Sequence, residues 1–396
     1  MEHRKIKNGI ISVGASDPDR RLFDELIPLP EGTTYNSYLV KGSEKTALID
    51  TVDPHLEHIL FENLSRSGVS NIDYVVANHA EQDHSGTLPK ILEKYPQAVV
   101  LCSEKCSGFL QNLLRIPSKK IKTVRDGEEV SLGDRTLQFL STPWVHWPET
   151  MVTWLKEDRI LFSCDYFGAH LARSGLYVKD RGLAYEAAKR YFAEIMMPFR
   201  NPIRKNMEKV RALDIDIIAP SHGQLYDDPS FILDAYDDWV SDRVQNMVLL
   251  PFVSMHGSTL RMVEKLQYLL EERGIDVLRF DLPRTDLGTL AIELVDAATL
   301  VLGTPAFLTG PHPVAAYGAS LVNALRPKLK NVSLIGSYSW GHKVDKGIAS
   351  ILSGLKANML EPVMSNGLPS SETDKDLERL ADEIFEEHKK EGIISK

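Results

Sequence analysis

Residues 75–86 read VVANHAEQDHSG, placing His79, Glu81, Asp83 and His84 within six positions directly after an apolar run. The two histidines lie five apart with carboxylates alternating between them, so the four cannot share one face of a helix or a strand. The segment is expected to be a loop at a strand end, wrapped around something. Taken alone it leaves two readings open, a solvated polar cluster and a metal site.

Three more apolar runs end in the same way: TPWVHWPET carries His146, ILFSCDYFG carries Asp165 and IIAPSHGQ carries His222. Strands that finish in polar residues can converge at one edge of a sheet. Together they offer four imidazoles and three carboxylates. That is too many for one tetrahedral zinc, and it suits two metals bridged by a carboxylate, about 3.5–4 Å apart.

Up to about residue 245, short strands and hairpins mix with helices. YNSYLV and TALIDTV flank the turn KGSEK, and EVSLGDRTLQFL and MVTWLKEDRILFS each read as a hairpin. Helical periods are expected at 85–94, 104–114, 184–197 and 203–212, with another helix near 230–244. The pattern then changes. MVLLPFVS, DVLRFDL, TLVLGTP, VSLIGSYS and MLEPVMS are strand-like runs with helical stretches between them, which implies a doubly wound parallel sheet. Val263, Leu266 and Leu270 recur at helical spacing, and Ser371 to Asp374 reads as a capping box opening the last helix. The expectation is α+β followed by α/β, with domains at 1–246 and 247–396. At 396 residues two domains are the default.

Composition narrows the function. With 46 basic and 55 acidic residues the net charge is −9, and no Lys/Arg cluster interleaved with aromatics interrupts it, so nucleic acid is not an expected partner. No stretch of apolar residues reaches membrane-spanning length and the start has no signal-like core, which leads to a cytoplasmic, non-membrane expectation. Cys102, Cys106 and Cys164 form no CxxC pair and read as small buried hydrophobes.

The polar segments together resemble the metallo-β-lactamase superfamily, whose zinc hydrolases carry His-x-His-x-Asp-His. Here Glu81 replaces the second histidine, and a carboxylate in that place favours iron over zinc. That replacement is the mark of the flavodiiron proteins, and the resemblance extends through EGTTYNSYLV, NHAEQDHSG, HWPETM, LFSCDYFG and SHGQLY. It implies a metallo-β-lactamase-like αββα domain followed by a flavodoxin-like FMN domain. It also implies that His79, Glu81 and His146 ligate one iron and Asp83, His84 and His222 the other, with Asp165 bridging. Trp147 and His170 stand as candidates just outside the ligands, core packing being the competing role for Trp147.

The second half offers loops for a flavin. SMHGST, comprising Ser254, Met255, His256, Gly257, Ser258 and Thr259, follows the first strand and opens a helix, so its N–H groups and hydroxyls can cradle a phosphate; an ordinary N-cap is the alternative. It resembles the flavodoxin pattern Ser/Thr-x-Thr-Gly-x-Thr, with His256 at the third position. Thr304, Pro305, Ala306 and Phe307 follow the third strand run, and Ser337, Tyr338, Ser339, Trp340 and Gly341 the fourth, where a flavodoxin-like fold holds the FMN ring. Buried-aromatic or turn roles compete at each. The resemblance thus implies an oxidoreductase with FMN and two irons that reduces O2 to water, NO to N2O, or both. With no CxxC module in the sequence, its donor is expected to be separate, a rubredoxin or a reduced deazaflavin coenzyme. A homodimer or tetramer is also implied. The rivals are a dizinc hydrolase with a flavodoxin-like regulatory domain and a non-catalytic FMN electron carrier.

Overall fold

The computed structural model describes residues 4–341 and 343–394. They divide into two compact units, one of residues up to Val240 apart from Ala193–Pro198, the other of that short segment with Ser241 onward.

In the first unit, Tyr38–Lys41 and Thr46–Ile49 pair as the antiparallel hairpin expected around KGSEK. Thr46–Ile49 then continues into the parallel strands Tyr74–Val76, Val99–Cys102 and Ile121–Thr123. Side chains alternate across this sheet. Leu39, Leu48, Val75 and Val100 face a core completed by Leu60 and Leu64 of helix Glu57–Arg66, Ile91 of Leu88–Lys94 and Leu110 of Glu104–Leu114. Tyr38, Val40, Ala47, Ile49 and Val76 face the second sheet, meeting its Leu137, Phe139, Phe162 and Ala219. Burial on both faces explains why these strands read as continuous apolar runs.

The second sheet runs Glu129–Ser131, Thr136–Ser141, Met151–Leu155, Ile160–Cys164, Ile217–Pro220. Beyond it, Tyr166 packs on Tyr236 of helix Pro229–Trp239 and donates its hydroxyl to the Ile203 carbonyl of Arg200–Arg211. The layers are therefore αββα, as expected. Helix Arg181–Tyr191 starts earlier than its apolar period because the Asp180 carboxylate accepts from the Leu183 N–H and caps it there.

Strand direction places the site. Ile160–Cys164 and Ile217–Pro220 are parallel, and Met151–Leu155 is antiparallel to both, so the residues after 164, after 220 and before 151 emerge at one edge. Asn78 ties the first sheet to that edge. Its N–H and side-chain amide donate to the two carboxylate oxygens of Asp50, its side-chain oxygen accepts from Thr153, and its carbonyl accepts from the Met151 N–H.

In the second unit the parallel strands lie in the order Asp276–Asp281, Gln245–Phe252, Ala297–Phe307, Asn331–Tyr338, with Asn358–Met359 and Val363–Asn366 both on the far side of Asn331–Tyr338. The order reverses between the first and third strands, which creates a crevice at their carboxyl ends. The run MLEPVMS is two short strands rather than one, because Pro362 has no N–H to give the ladder. Val263, Leu266 and Leu270 of helix Ser258–Glu271 are buried against Leu377, Leu380 and Ile384 of Ser371–Lys390. The capping box of that last helix sits one residue earlier than its sequence suggests. The Ser370 hydroxyl accepts from the Thr373 N–H and the Thr373 hydroxyl from the Ser370 N–H. Among the described residues no helix is long and apolar enough to cross a membrane.

Candidate functional site

All seven polar residues meet at that edge, in two sets. In the first, Nε2 of His79 and Nε2 of His146 each lie 3.1 Å from Glu81 Oε2, and 3.5 and 3.4 Å from Asp165 Oδ2. In the second, Nε2 of His84 and of His222 lie 3.2 and 3.3 Å from Asp83 Oδ2, and 2.9 and 3.3 Å from Asp165 Oδ1. Asp165 thus turns one oxygen to each set.

The donor set fits a pair of cations. Both oxygens of Asp83 and of Asp165, together with Nε2 of His84 and His222, are buried without a hydrogen-bond partner, although the atoms stand close. Unpartnered buried lone pairs are costly unless a cation takes them. Ligands about 2.1 Å from one ion are roughly 3.0–3.4 Å from one another, close to the 2.9–3.5 Å found here. Without a cation the site gathers protons instead. Burial would draw His146 and His222 down, but Asp165, with Glu81 for His146 and Asp83 for His222, outweighs it and raises them to about 9 and about 10. Burial would likewise raise Asp165, yet the imidazoles of His84, His146 and His222 hold it well below the usual carboxylate range. Metal ions compete with those protons for the same lone pairs.

These side chains are aimed by neighbours. His222 Nδ1–H donates to the Thr34 carbonyl at 2.6 Å, which leaves Nε2 to face the pocket. Asn36 straps the loop by donating its amide to the carbonyls of Pro220 and Gly223. Gly223 has φ +84° and lies so close to Ala169 that a Cβ there would stand 2.8 Å from its carbonyl oxygen. His79 Nδ1 lies 2.6 Å from Glu149 Oε1, a buried carboxylate the sequence analysis left without a role although HWPETM contains it. Trp147 stands edge-on to His79 with ring centroids 4.9 Å apart. His170 packs on His222 at 4.8 Å and pairs its Nδ1 with the Thr33 hydroxyl at 2.8 Å; burial, then His222, pushes its pKa well down, so it is neutral. Tyr191, also missed, packs on His170.

In the second unit a cleft of about 150 Å³ opens at the carboxyl ends of the strands, lined by Ser254, Met255, His256, Ser258, Thr259, Pro305, Ala306, Ser337, Tyr338, Ser339 and Gly367. The Ser254 hydroxyl accepts from the N–H groups of Gly257 and Leu260, and so orders the loop at the start of helix Ser258–Glu271. Gly257 itself has φ +90°. The Thr259 and Ser337 hydroxyls lie 3.0 Å apart and join two of the loops. Thr304 is fully buried, its hydroxyl committed to the His312 N–H and the Pro305 carbonyl. Phe307 and Trp340 are exposed, and neither they nor Gly341 line the cleft. Gly367 was not foreseen, because it follows the second of the two strands into which MLEPVMS divides.

A carboxylate shared between two sets of histidines and carboxylates in an αββα unit, within one chain that also carries a flavodoxin-like sheet, defines a metalloflavoprotein. Known proteins agree. A family model described as ODP family beta lactamase matches residues 33–223. The nitric oxide reductase of Moorella thermoacetica is 34% identical over 362 residues, 90% of each chain. The coenzyme F420H(2) oxidase of Methanothermobacter marburgensis is 33% identical over 321 residues, 78% of this chain and 79% of that one. Rubredoxin oxygen:oxidoreductase from Desulfovibrio gigas superposes with a TM-score of 0.93 at 29% identity, covering 98% of this chain and 99% of that one. The chain belongs to the flavodiiron proteins, or type A flavoproteins, which carry FMN and a diiron centre, and it is an oxidoreductase.

Proposed function

We propose that this protein takes electrons from a separate donor through FMN and uses them at a diiron centre to reduce O2 to water, NO to N2O, or both. The observation that carries the reading is the two-sided carboxylate of Asp165, with one oxygen at 3.4–3.5 Å from His146 and His79 and the other at 2.9–3.3 Å from His84 and His222. His79, Glu81 and His146 hold one iron, and Asp83, His84 and His222 the other. When bound, the irons supply the valence changes and FMN the electrons. Glu81 keeps the first set hard, and His170 and Trp147 shape the pocket walls. Residues 1–246 serve as the iron domain and 247–396 as the flavin domain, with the FMN phosphate at the 254–259 loop. The names of the relatives favour a rubredoxin or reduced coenzyme F420 as donor. The working unit is a cytoplasmic homodimer or tetramer.

The test is consumption of NO, and separately of O2, by iron- and FMN-loaded protein given a chemical reductant. Uptake of either gas supports the reading. Stoichiometric zinc with reductant-independent hydrolysis, and no uptake of either gas, overturns it.

A further inference from the structure

O2 and NO are neutral diatomic molecules, and a pocket that serves them has to keep larger ones from the metals. One hairpin reaches the second set from outside. Leu22–Phe23 pairs with Ile27–Pro28, and the turn closes as the Leu26 N–H donates to the Phe23 carbonyl at 3.1 Å. Side chains alternate along a strand. Leu22 and Leu26 are accordingly 44% and 49% exposed, whereas Phe23 between them is buried. Its ring packs on His170 at a centroid separation of 5.1 Å and lies edge-on to His222 at 6.4 Å. Nε2 of each of these imidazoles is buried without a hydrogen-bond partner. The backbone marks the same place. Asp24 and Glu25 have positive φ, 49° and 52°, in a turn that Asn-Gly or Gly-Gly forms without strain. Such strain persists where the surroundings fix it, and it gathers at pockets and clamps. Here Arg20 fixes the base, donating from Nε to the Leu22 carbonyl at 3.0 Å and from Nη1 to Asp53 at 3.4 Å. Burial raises the Asp24 carboxyl, and Glu81 and Asp83, one from each set, raise it further, so the tip stands beside both.

We propose that this hairpin is the roof of the diiron pocket and that Phe23 limits what enters to molecules of a few atoms, a proposal that rests on the reductase reading above. Protein interiors are packed to crystal density, so a buried ring denies its own volume to any visitor. O2 and NO need little room. A molecule with an aromatic ring needs the space that Phe23 holds against His170 and His222. Shortening the side chain to Ala leaves a phenyl-shaped space there, of the kind that takes up an aromatic molecule. The role is steric: Phe23 decides which molecules fit, and it carries neither protons nor electrons.

The experiment uses the full chain with FMN and iron, as wild type, Phe23→Ala and Phe23→Leu, with iron and flavin contents measured for each. The oxidised proteins are titrated with azide, a linear anion of three atoms, and with phenol, each followed by its charge-transfer absorption on ferric iron. Gas consumption is measured with and without phenol. Phenol should bind Phe23→Ala ~10-fold or more tightly than it binds the wild type, and should inhibit gas consumption by that variant. Azide affinity should stay within about 2-fold, because azide does not need the vacated space. Phe23→Leu should fall between the two. Should Phe23→Ala fail to retain iron, Phe23→Leu decides by the same titrations. Phenol affinities that are equal in variant and wild type overturn the role of Phe23 while the reductase reading stands. A wild type that consumes neither gas overturns both.

Discussion

Glu149 holds one carboxylate oxygen 2.6 Å from His79 Nδ1 and 3.1 Å from the Ala80 N–H, so it fixes both the ring and the backbone beside it. A carboxylate behind a metal-bound histidine sets the tautomer and raises its basicity. Glu149→Gln keeps the shape and removes the charge. Iron should then be held roughly 10–100-fold more weakly, read as a lower chelator concentration for half-removal, with FMN retained. Iron as resistant to chelator as in the wild type would show that Glu149 is only packing.

Asp165→Ala should remove more than Glu149→Gln does. Its two oxygens face different sets, so its loss leaves His79 and His146 on one side and His84 and His222 on the other without their shared partner. We expect iron well below two per chain, no gas consumption, and a full flavin complement, because the cleft lies in the other unit. Two tightly held irons in this variant would exclude Asp165 as the bridge.

How far the sequence leads can be judged from particular residues. Asp165 and His222 were legible because each closely follows a strand buried on both faces, where a polar side chain is conspicuous, and His79 because it follows the apolar end of Tyr74–Val76. That their strands could share an edge was an expectation; which ends meet there depends on the antiparallel placement of Met151–Leu155 against Ile160–Cys164 and the parallel placement of Ile217–Pro220. Glu149 sat inside a quoted motif without a role, because its significance is a contact with a residue 70 positions away. The last helix was placed but its cap misread by one residue, Ser370 and Ser371 being equally good capping residues until the backbone chooses.

Gly257→Asp should expel FMN. Nothing lies within 4 Å of a Cβ built there, so the objection is not space; it is φ +90° and the charge placed at the start of helix Ser258–Glu271. Gly257→Ala carries the backbone strain alone, about 1 kcal/mol, and separates the two causes. The flavin absorbance after purification should be nearly lost in the Asp variant and largely kept in the Ala variant. Equal retention by both would place the phosphate elsewhere.

Stability should fall in acid through His388, which contacts the first residues of strands Gln245–Phe252 and Ala297–Phe307, away from the cleft at their carboxyl ends. It is fully buried in the last helix, with Nε2 at 2.8 Å from the Thr299 hydroxyl and Nδ1 at 2.8 Å from Asn246 Oδ1. The neutral ring satisfies both neighbours, donating from Nδ1 and accepting at Nε2. Burial pushes the His388 pKa down from 6.5 to about 4. The unfolded chain therefore binds a proton that the folded chain refuses, so this contribution is whole above the unfolded value and is lost as pH falls from 6.5 to about 4. The loss amounts to at most about 3 kcal/mol. Urea midpoints read by FMN release should drop over that window in the wild type by more than in His388→Gln, which titrates nothing there. Parallel midpoint-against-pH curves for the two proteins would mean that His388 is protonated in the folded state after all.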